Sequence, residues 1–319
     1  MLMQYNDLIK LIEKGILLHI AGTEDLLKKL PKGNWIGGST EYFMAKSGGK
    51  VSDELLYVTE FKYNIFNIKT YDKAHIKNIA KDAYNNGLSI IIVPFDSAVH
   101  REYAENAAEY EDIFMKPVVG WISGLNLGKQ GQTPIAINGS TGEVCNDTAV
   151  CLHIELPSNQ MASVNIINIF EADENSPAIT FKDNGFSIKT CFIDGKETNF
   201  ADYIAKNNIN TKLPIIGSYS GTGINVSFRG IEQDTVNLYA PVFDDIEYRF
   251  AKNIHDYTAA FHDHLQGIDD TNELFSCNCI LNFLYGELEN KSIESFGGPI
   301  TFGEIAYQLV NQTLVYVTI

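Results

Sequence analysis

Positive charge is scarce in this 319-residue sequence: Lys and Arg total 24 against 40 Asp and Glu, which gives a formal net charge of −16 at pH 7. A nucleic acid or an anionic membrane surface requires a basic footprint, so we expect neither as a partner. The acidic residues are spread along the chain rather than gathered in a tail, a pattern typical of a soluble surface.

Long apolar runs are missing as well. The longest, such as Ile90–Phe95, fall far short of the roughly 20 residues that a membrane-spanning helix needs, and the first residues show no signal-peptide pattern. The five cysteines are an odd number in a long chain, which argues against a disulfide framework. We therefore expect a cytoplasmic protein with reduced thiols.

Familiar catalytic and metal motifs are also lacking. Gly37-Gly-Ser-Thr40 has neither the spacing nor the lysine of a P-loop. Cys277 and Cys279 are separated by one residue, so they would face the same side of a strand and do not form a Cys-x-x-Cys redox or zinc pattern. The His/Asp cluster of residues 255–264 contains no His-Glu-x-x-His motif and favours a solvated helix face. We expect no metal and no cofactor.

Apolar residues make up 45% and charged residues 20% of the chain, an ordinary globular composition. The apolar periodicity predicts helix over residues 3–30, with Thr23 as a candidate N-cap, and over Asp72–Asn86. It predicts strand over Leu274–Leu284 and over most of residues 118–170. These patterns indicate an α/β (α+β) fold with large mixed or antiparallel sheets flanked by helices.

The length favours two domains. We place the boundary at the acidic turn Glu171–Pro177, which gives domains of residues 1–175 and 176–319. Two short echoes support related halves. Pro117–Gly124 resembles Pro214–Gly221, and the segment starting at Gly37-Gly38 resembles the one starting at Gly297-Gly298. The echoes predict two similar modules that offer glycine-rich strand ends to a common cleft.

Polar or very small residues interrupt the apolar pattern of the C-terminal strands, namely Ser276, Cys277, Gly297, Gly298, Gly303, Glu304 and Gln312. Such interruptions mark either a binding site or a tight turn. Arg229 could pair with a ligand carboxylate or form a structural salt bridge. Glu304 could accept a ligand amino group, or it could be an N-cap or a surface carboxylate. The candidate ligand-binding residues are Trp35, Gly37, Gly38, Ser39, Thr40, Ser123, Gly124, Arg229, Cys277, Gly298 and Glu304.

Several motifs carry a resemblance to a known family. They are Trp35-Ile-Gly-Gly-Ser-Thr40, Ile193-Asp-Gly-Lys196, Val226-Ser-Phe-Arg229, Leu274-Phe-Ser-Cys277, Phe302-Gly-Glu-Ile305 and Asn311-Gln-Thr313. In these motifs the chain resembles the FIST family, as a divergent member with an N-terminal and a C-terminal FIST module.

The resemblance implies a sensory protein of signal transduction. Such a protein would bind a small polar metabolite, for instance an amino acid, in a cleft between the halves and would act on a signalling partner such as a sensor kinase. The alternative is an enzyme that uses Cys277 or Glu304 on a small substrate. It requires a base within hydrogen-bond reach of the thiol.

Overall fold

A computed structural model describes residues 1–129, 131–219, 221–265, 268, 272–292 and 296–319. The chain folds into a mixed α+β structure with 17% helix and 42% strand, which confirms the predicted fold class. Among the described residues, no helix is both long enough and apolar enough to cross a membrane.

The helices are short and lie between longer runs of strands. They are α1 (Tyr5–Glu13), α2 (Glu24–Leu27), α3 (Ile79–Asp82), α4 (Ala98–Asn106), α5 (Phe200–Lys206), α6 (Tyr257–Leu265) and α7 (Ile280–Tyr285). The first strands are β1 (Leu2–Gln4), β2 (Leu17–Gly22), β3 (Trp35–Ser39), β4 (Tyr42–Ala45), β5 (Gly48–Val51), β6 (Leu55–Phe61), β7 (Phe66–Tyr71), β8 (Gly87–Pro94), β9 (Val118–Ser123), β10 (Ala136–Asn138), β11 (Glu143–Cys145), β12 (Ala149–Glu155) and β13 (Ser163–Ile167). The remaining strands are β14 (Ile179–Thr180), β15 (Gly185–Ile188), β16 (Thr190–Ile193), β17 (Lys196–Asn199), β18 (Ile215–Tyr219), β19 (Thr222–Val226), β20 (Phe228–Glu232), β21 (Thr235–Val242), β22 (Tyr248–Phe250), β23 (Glu273–Cys279), β24 (Gly298–Thr301), β25 (Glu304–Ala306), β26 (Gln308–Val310) and β27 (Leu314–Thr318).

The chain divides into two compact units. Unit 1 contains Met1–Ile167, Leu265–Leu309 and Thr313–Ile319, and unit 2 contains Asn168–His264 and Val310–Gln312. The chain passes from unit 1 to unit 2 after Ile167, near the predicted boundary. The C-terminal strands, however, belong to unit 1 and do not form a domain with residues 176–264. The reason is strand pairing: β27 pairs antiparallel with both β13 and β23, and β25 pairs with β9.

Unit 1 is built on three sheets. In the described residues, sheet I has the order β1-β6-β2-β3-β10-β11, sheet II β26-β25-β9-β8-β12-β7 and sheet III β13-β27-β23-β24-β4-β5. One apolar cluster lies between α1, α2 and sheet I and includes Leu8, Ile20 and Trp35. Sheets I and II approach closely at Gly38, where a Cβ would lie 2.7 Å from the ring of Trp121 and 2.6 Å from the side chain of Ile92.

Unit 2 has a sheet of order β17-β16-β14-β22-β18-β19 and a smaller one of order β15-β21-β20. The tripeptide Val310–Gln312 completes it through polar contacts. Ser227 donates to the Gln312 side-chain oxygen at 2.7 Å, and the Gln312 amide donates to the carbonyl of Lys212 at 3.0 Å. Asn225 donates to the backbone oxygen of Asn311 at 3.0 Å. Two residues of the motif Asn311-Gln-Thr313 therefore hold this segment in unit 2.

Three predicted elements differ from the structure. Residues 3–30 are not one helix, because Leu17–Gly22 forms the fully buried strand β2, and a short apolar run fits a strand as well as a helix. Thr23 does cap α2, since its hydroxyl accepts from the backbone N–H of Leu26. The predicted strand Leu274–Leu284 ends at Cys279 and continues as α7.

The predicted helix Asp72–Asn86 is reduced to one 3₁₀ turn and the four-residue α3. The Asp72 carboxylate accepts from the backbone N–H groups of Ala74 and His75, both at 2.9 Å. Such local side-chain bonds hold the chain in a turn and compete with helix formation.

Candidate functional site

The predicted glycine and tryptophan residues of β3 lie in the core of unit 1. Trp35 is buried and donates from its indole to the carbonyl of Pro31 at 2.9 Å. Its ring packs on Gly139, where a Cβ would come within 2.2 Å. Gly37 faces Trp35 and Leu27, and Gly38 faces the ring of Trp121. These residues are small or aromatic because the layers pack closely there.

Ser39, Thr40 and Gly124 lie at the carboxyl ends of β3 and β9. Ser39 donates to the backbone oxygen of Gly124 at 2.9 Å, and Thr40 donates to that of Ile300 at 2.8 Å. The three residues line one small cavity of about 20 Å³. A space of that size holds about one water molecule, so it does not accommodate a metabolite.

Cys277 and Glu304 lie in one buried cluster where sheets II and III meet. The Cys277 thiol donates to the backbone oxygen of Gly120 at 3.4 Å. Burial raises the pKa of this thiol well above its usual value, and nearby Glu304 raises it further. The Glu304 carboxyl accepts from the hydroxyls of Thr301 and Thr313, each at 2.9 Å, and burial raises its pKa to about 8.

The remaining candidates are dispersed. Ser123 is fully buried, and its hydroxyl has no partner within the described part of the chain. Gly298 allows two strands to approach, because a Cβ there would lie 2.1 Å from the backbone oxygen of Ser276. Arg229 is exposed on β20 in unit 2, whereas the other ten candidates belong to unit 1.

A buried polar chain not found from the sequence crosses sheet II. The ring nitrogens of His153 lie 2.8 Å from the Ser89 hydroxyl and 2.8 Å from the Tyr71 hydroxyl, which donates to Asp82 at 2.8 Å. Burial lowers the pKa of His153 to about 4, so the imidazole is neutral at physiological pH. Because Ser89 and His153 are fully buried, a substrate could not reach the serine, and the chain satisfies the polar groups of a core histidine.

Unit 1 contains an open groove with a volume of about 1070 Å³. It lies along β1 and β6 on one side and the start of β23 on the other, with the β4–β5 turn at its end. Its polar lining includes Asp7, Lys46, Lys50, Tyr57, Glu60, Lys62, Glu273 and Ser276, and Gly297 also faces it. Leu2, Leu55 and Phe275 supply apolar surface.

The floor of this groove is polar and largely buried. Tyr57 is 8% exposed and Ser276 4% exposed. The Ser276 hydroxyl contacts the Glu273 carboxylate and lies 2.9 Å from the carbonyl oxygen of Gly297. The Tyr57 hydroxyl lies against Gly297, where a Cβ would be 2.8 Å away. Burial raises the pKa of Tyr57, and the negative charge of Glu273 adds to the effect, so the phenol keeps its proton.

The edge of the groove has a different character. Lys46, Lys50 and Lys62 are exposed, whereas Glu60 and Glu273 are half-buried. The carboxylates of Glu60 and Glu273 therefore lie deeper than the ammonium groups of the three lysines. The N-terminal ammonium group of Met1 also lines the groove and donates to the backbone oxygen of Val58. Of these groove residues, Ser276 and Gly297 interrupt the apolar pattern of the sequence and could have been selected. Tyr57 and Glu273 carry no such signal.

A second groove of about 550 Å³ lies in unit 2 and is lined by Glu171, Gly217, Ser218, Glu247 and Arg249, among others. Three of the four charged side chains that line it, those of Glu171, Glu247 and Arg249, form ion pairs. Arg249 contacts Glu247 at 3.0 Å, and Glu171 contacts Lys252 at 2.6 Å. Within the described residues, no group of His, Cys, Asp or Glu side chains could hold a metal ion. The groove of unit 1 is therefore the stronger candidate site.

The described residues form a mixed α+β protein whose unit 1 contains a large polar groove. The chain belongs to the family of unknown function DUF6976, which matches residues 3–319. No curated protein matches the chain significantly. The family description names no ligand and no reaction, so the FIST resemblance stays a prediction from the sequence motifs.

Proposed function

We propose that this protein binds a small polar metabolite in the groove of unit 1. The observation that carries the proposal is the polar floor: two largely buried side chains, Tyr57 and Ser276, lie at the bottom of a groove of about 1070 Å³. Small-molecule sites are concave, combine apolar walls with a few placed polar groups, and commonly measure about 300–1,000 Å³. The apolar surface of Leu2, Leu55 and Phe275 fits that description.

A sensory role in signal transduction, with a signalling protein such as a sensor kinase as partner, is part of this proposal. It is supported by the FIST-like motifs alone. The groove differs from the cleft between halves that those motifs implied, because its lining residues all belong to unit 1.

The enzyme alternative receives less support from the residues that it names. A nucleophilic cysteine needs a lowered pKa and a nearby base. Burial and Glu304 have the opposite effect on the Cys277 thiol, which donates to a backbone carbonyl. Both Cys277 and Glu304 are also buried away from the groove lining.

Thermal-shift screening against a panel of polar metabolites tests the proposal. A ligand at 100 times its Kd should stabilise the protein by about 2.7 kcal/mol. The variant Ser47→Trp, in which a large ring replaces an exposed groove residue, should lose that stabilisation. Ser158→Trp places the same ring on an exposed turn outside the groove lining and should retain it. The proposal fails if no metabolite stabilises the protein, or if both variants respond equally.

A further inference from the structure

We propose that residues 125–129 form a strap that opens, and that an ion pair between Lys129 on the strap and the buried Glu41 keeps it closed. The strap begins one residue after β9 ends, and its residues Leu125 and Asn126 line the cavity of about 20 Å³ together with Glu41. Among the described residues, the linings of this cavity and of the groove have no member in common. The strap is therefore separate from the proposed metabolite site and does not depend on it.

Polar contacts attach the strap to the rest of unit 1. The Asn126 amide donates to one Glu41 oxygen at 2.7 Å, and the Lys129 ammonium group donates to both Glu41 oxygens at 3.0 Å. Lys129 also donates to the exposed carboxylate of Asp53 at 3.3 Å. Glu41 is thus the main point of attachment, because both of its carboxylate oxygens accept from the strap.

The strap contributes little to the apolar core. Leu125 and Asn126 are half-buried, and residues 127–129 are exposed. The backbone N–H of Leu127 donates to the hydroxyl of Tyr42 on β4 at 3.1 Å. A segment with few buried apolar contacts has a low local stability and can open while the rest of the protein stays folded. Opening the strap therefore breaks hydrogen bonds and ion pairs but exposes little apolar surface.

The burial of Glu41 makes the closed state depend on Lys129. The Glu41 side chain is 6% exposed, whereas that of Lys129 is 43% exposed. A buried carboxylate requires a partner, and removal of the partner is strongly unfavourable because the charge stays buried. Opening the strap removes this penalty, since water then reaches the carboxylate. Loss of the Lys129 charge should therefore open the strap and leave the remaining fold intact.

Hydrogen–deuterium exchange of the full chain, resolved by overlapping peptides in mass spectrometry, measures the opening. The variants are Lys129→Gln, the double variant Glu41→Gln/Lys129→Gln and the control Lys81→Gln, whose lysine pairs with the exposed Glu111. The amide of Leu127, which donates to β4, reports on the strap, and the amides of β8 report on the core. Circular dichroism and the Tm establish that each variant is folded. A series from about 0.05 to 0.5 M NaCl on the wild type tests the ion pair without a substitution.

We expect Lys129→Gln to raise the exchange rate of the strap by at least about tenfold, as the loss of a hydrogen bond to a charged group implies, while β8 keeps its rate. The double variant should recover most of the protection, because no charge is then buried, and Lys81→Gln should match the wild type. High salt should speed exchange of the wild-type strap by about twofold or more, since it screens the half-exposed Lys129.

The strap proposal is overturned if folded Lys129→Gln keeps the wild-type rate, or if the double variant exchanges as fast as the single variant. The second outcome would mean that the lost lysine contact matters and the buried charge does not. If Lys129→Gln fails to fold, the salt series decides, and a strap rate that does not change with salt overturns the proposal.

Discussion

Replacing Glu304 by glutamine should stabilise the protein at neutral pH, and the gain should grow as the pH rises. Glu304 is fully buried on β25, and burial raises its pKa from 4.5 to about 8. Glutamine keeps the shape and can make the same contacts. Its oxygen can accept from the backbone N–H and hydroxyl of Thr313, which lie 3.2 and 2.9 Å from one Glu304 oxygen. Its NH₂ group can donate to Thr301, whose hydroxyl then donates to the backbone oxygen of Asn278 at 3.2 Å.

The magnitude follows from proton linkage. Below pH 4.5 the carboxyl is protonated in both the folded and the unfolded protein, so the pH has no effect through this group. Between 4.5 and about 8 the unfolded chain releases the proton and the folded protein keeps it, so stability falls by about 1.4 kcal/mol per pH unit. At pH 7 the wild type has lost about 3 kcal/mol in this way, and above pH 8 the loss is complete at about 5 kcal/mol.

Urea unfolding at pH 5, 6, 7 and 8 measures the effect. The free energy of unfolding of Glu304→Gln minus that of the wild type should rise steadily across this series, since all other titrating groups cancel in the difference. The exposed-acid control Glu54→Gln should stay within about 0.5 kcal/mol of the wild type. A difference that does not vary with pH would refute the reasoning, because it would mean that Glu304 is ionised in the folded protein.

Three further predictions concern packing, the thiols and the groove floor. Gly38→Ala should destabilise the protein by about 1–3 kcal/mol in urea unfolding, because its Cβ would clash with Trp121. The control Gly230→Ala, which has open space around its Cβ, should lower the free energy of unfolding much less. Equal losses of stability in the two variants would contradict this account. All five cysteines are reduced thiols, so denatured, non-reduced protein should titrate five thiols. Native Cys277 should react with iodoacetamide far more slowly than cysteine in solution, and fast alkylation would favour the enzyme alternative. Tyr57→Phe should leave the Tm of the ligand-free protein nearly unchanged, since the hydroxyl has no protein partner among the described residues, and a clear fall in Tm would mean that it has one.

The sequence predicts the fold class and the strand-rich character of residues 118–170, because these depend on local periodicity and turn residues. It fails where long-range pairing decides the structure. Nothing in the pattern of β27 indicates that it lies between β13 and β23, so the C-terminal strands could not be placed in unit 1 from the sequence. Leu17–Gly22 reads equally well as a helix, and only its position between β6 and β3 makes it a strand.

The candidate site was less predictable than the fold, for a physical reason. A small or polar residue in an apolar strand can serve to bind a ligand or to allow close packing. Both roles give the same residue pattern in the sequence. Close packing explains Gly37, Gly38 and Gly298, since side chains or backbone already fill the space that a Cβ would take. Tyr57 and Glu273 fit an ordinary strand pattern, so nothing in the sequence distinguishes them.

The atoms around the position of an added Cβ distinguish a glycine that is required for packing from one that lines the groove. At Gly38 the neighbours are carbon atoms of the core, and at Gly298 the neighbour is a backbone carbonyl within sheet III. At Gly297 the nearest atom is the hydroxyl of Tyr57, on a residue that lines an open groove. A side chain at Gly38 or Gly298 would disturb the fold, whereas one at Gly297 would first displace a polar group on the groove floor. Among these glycines, Gly297 is therefore the one whose replacement should affect binding before it affects stability.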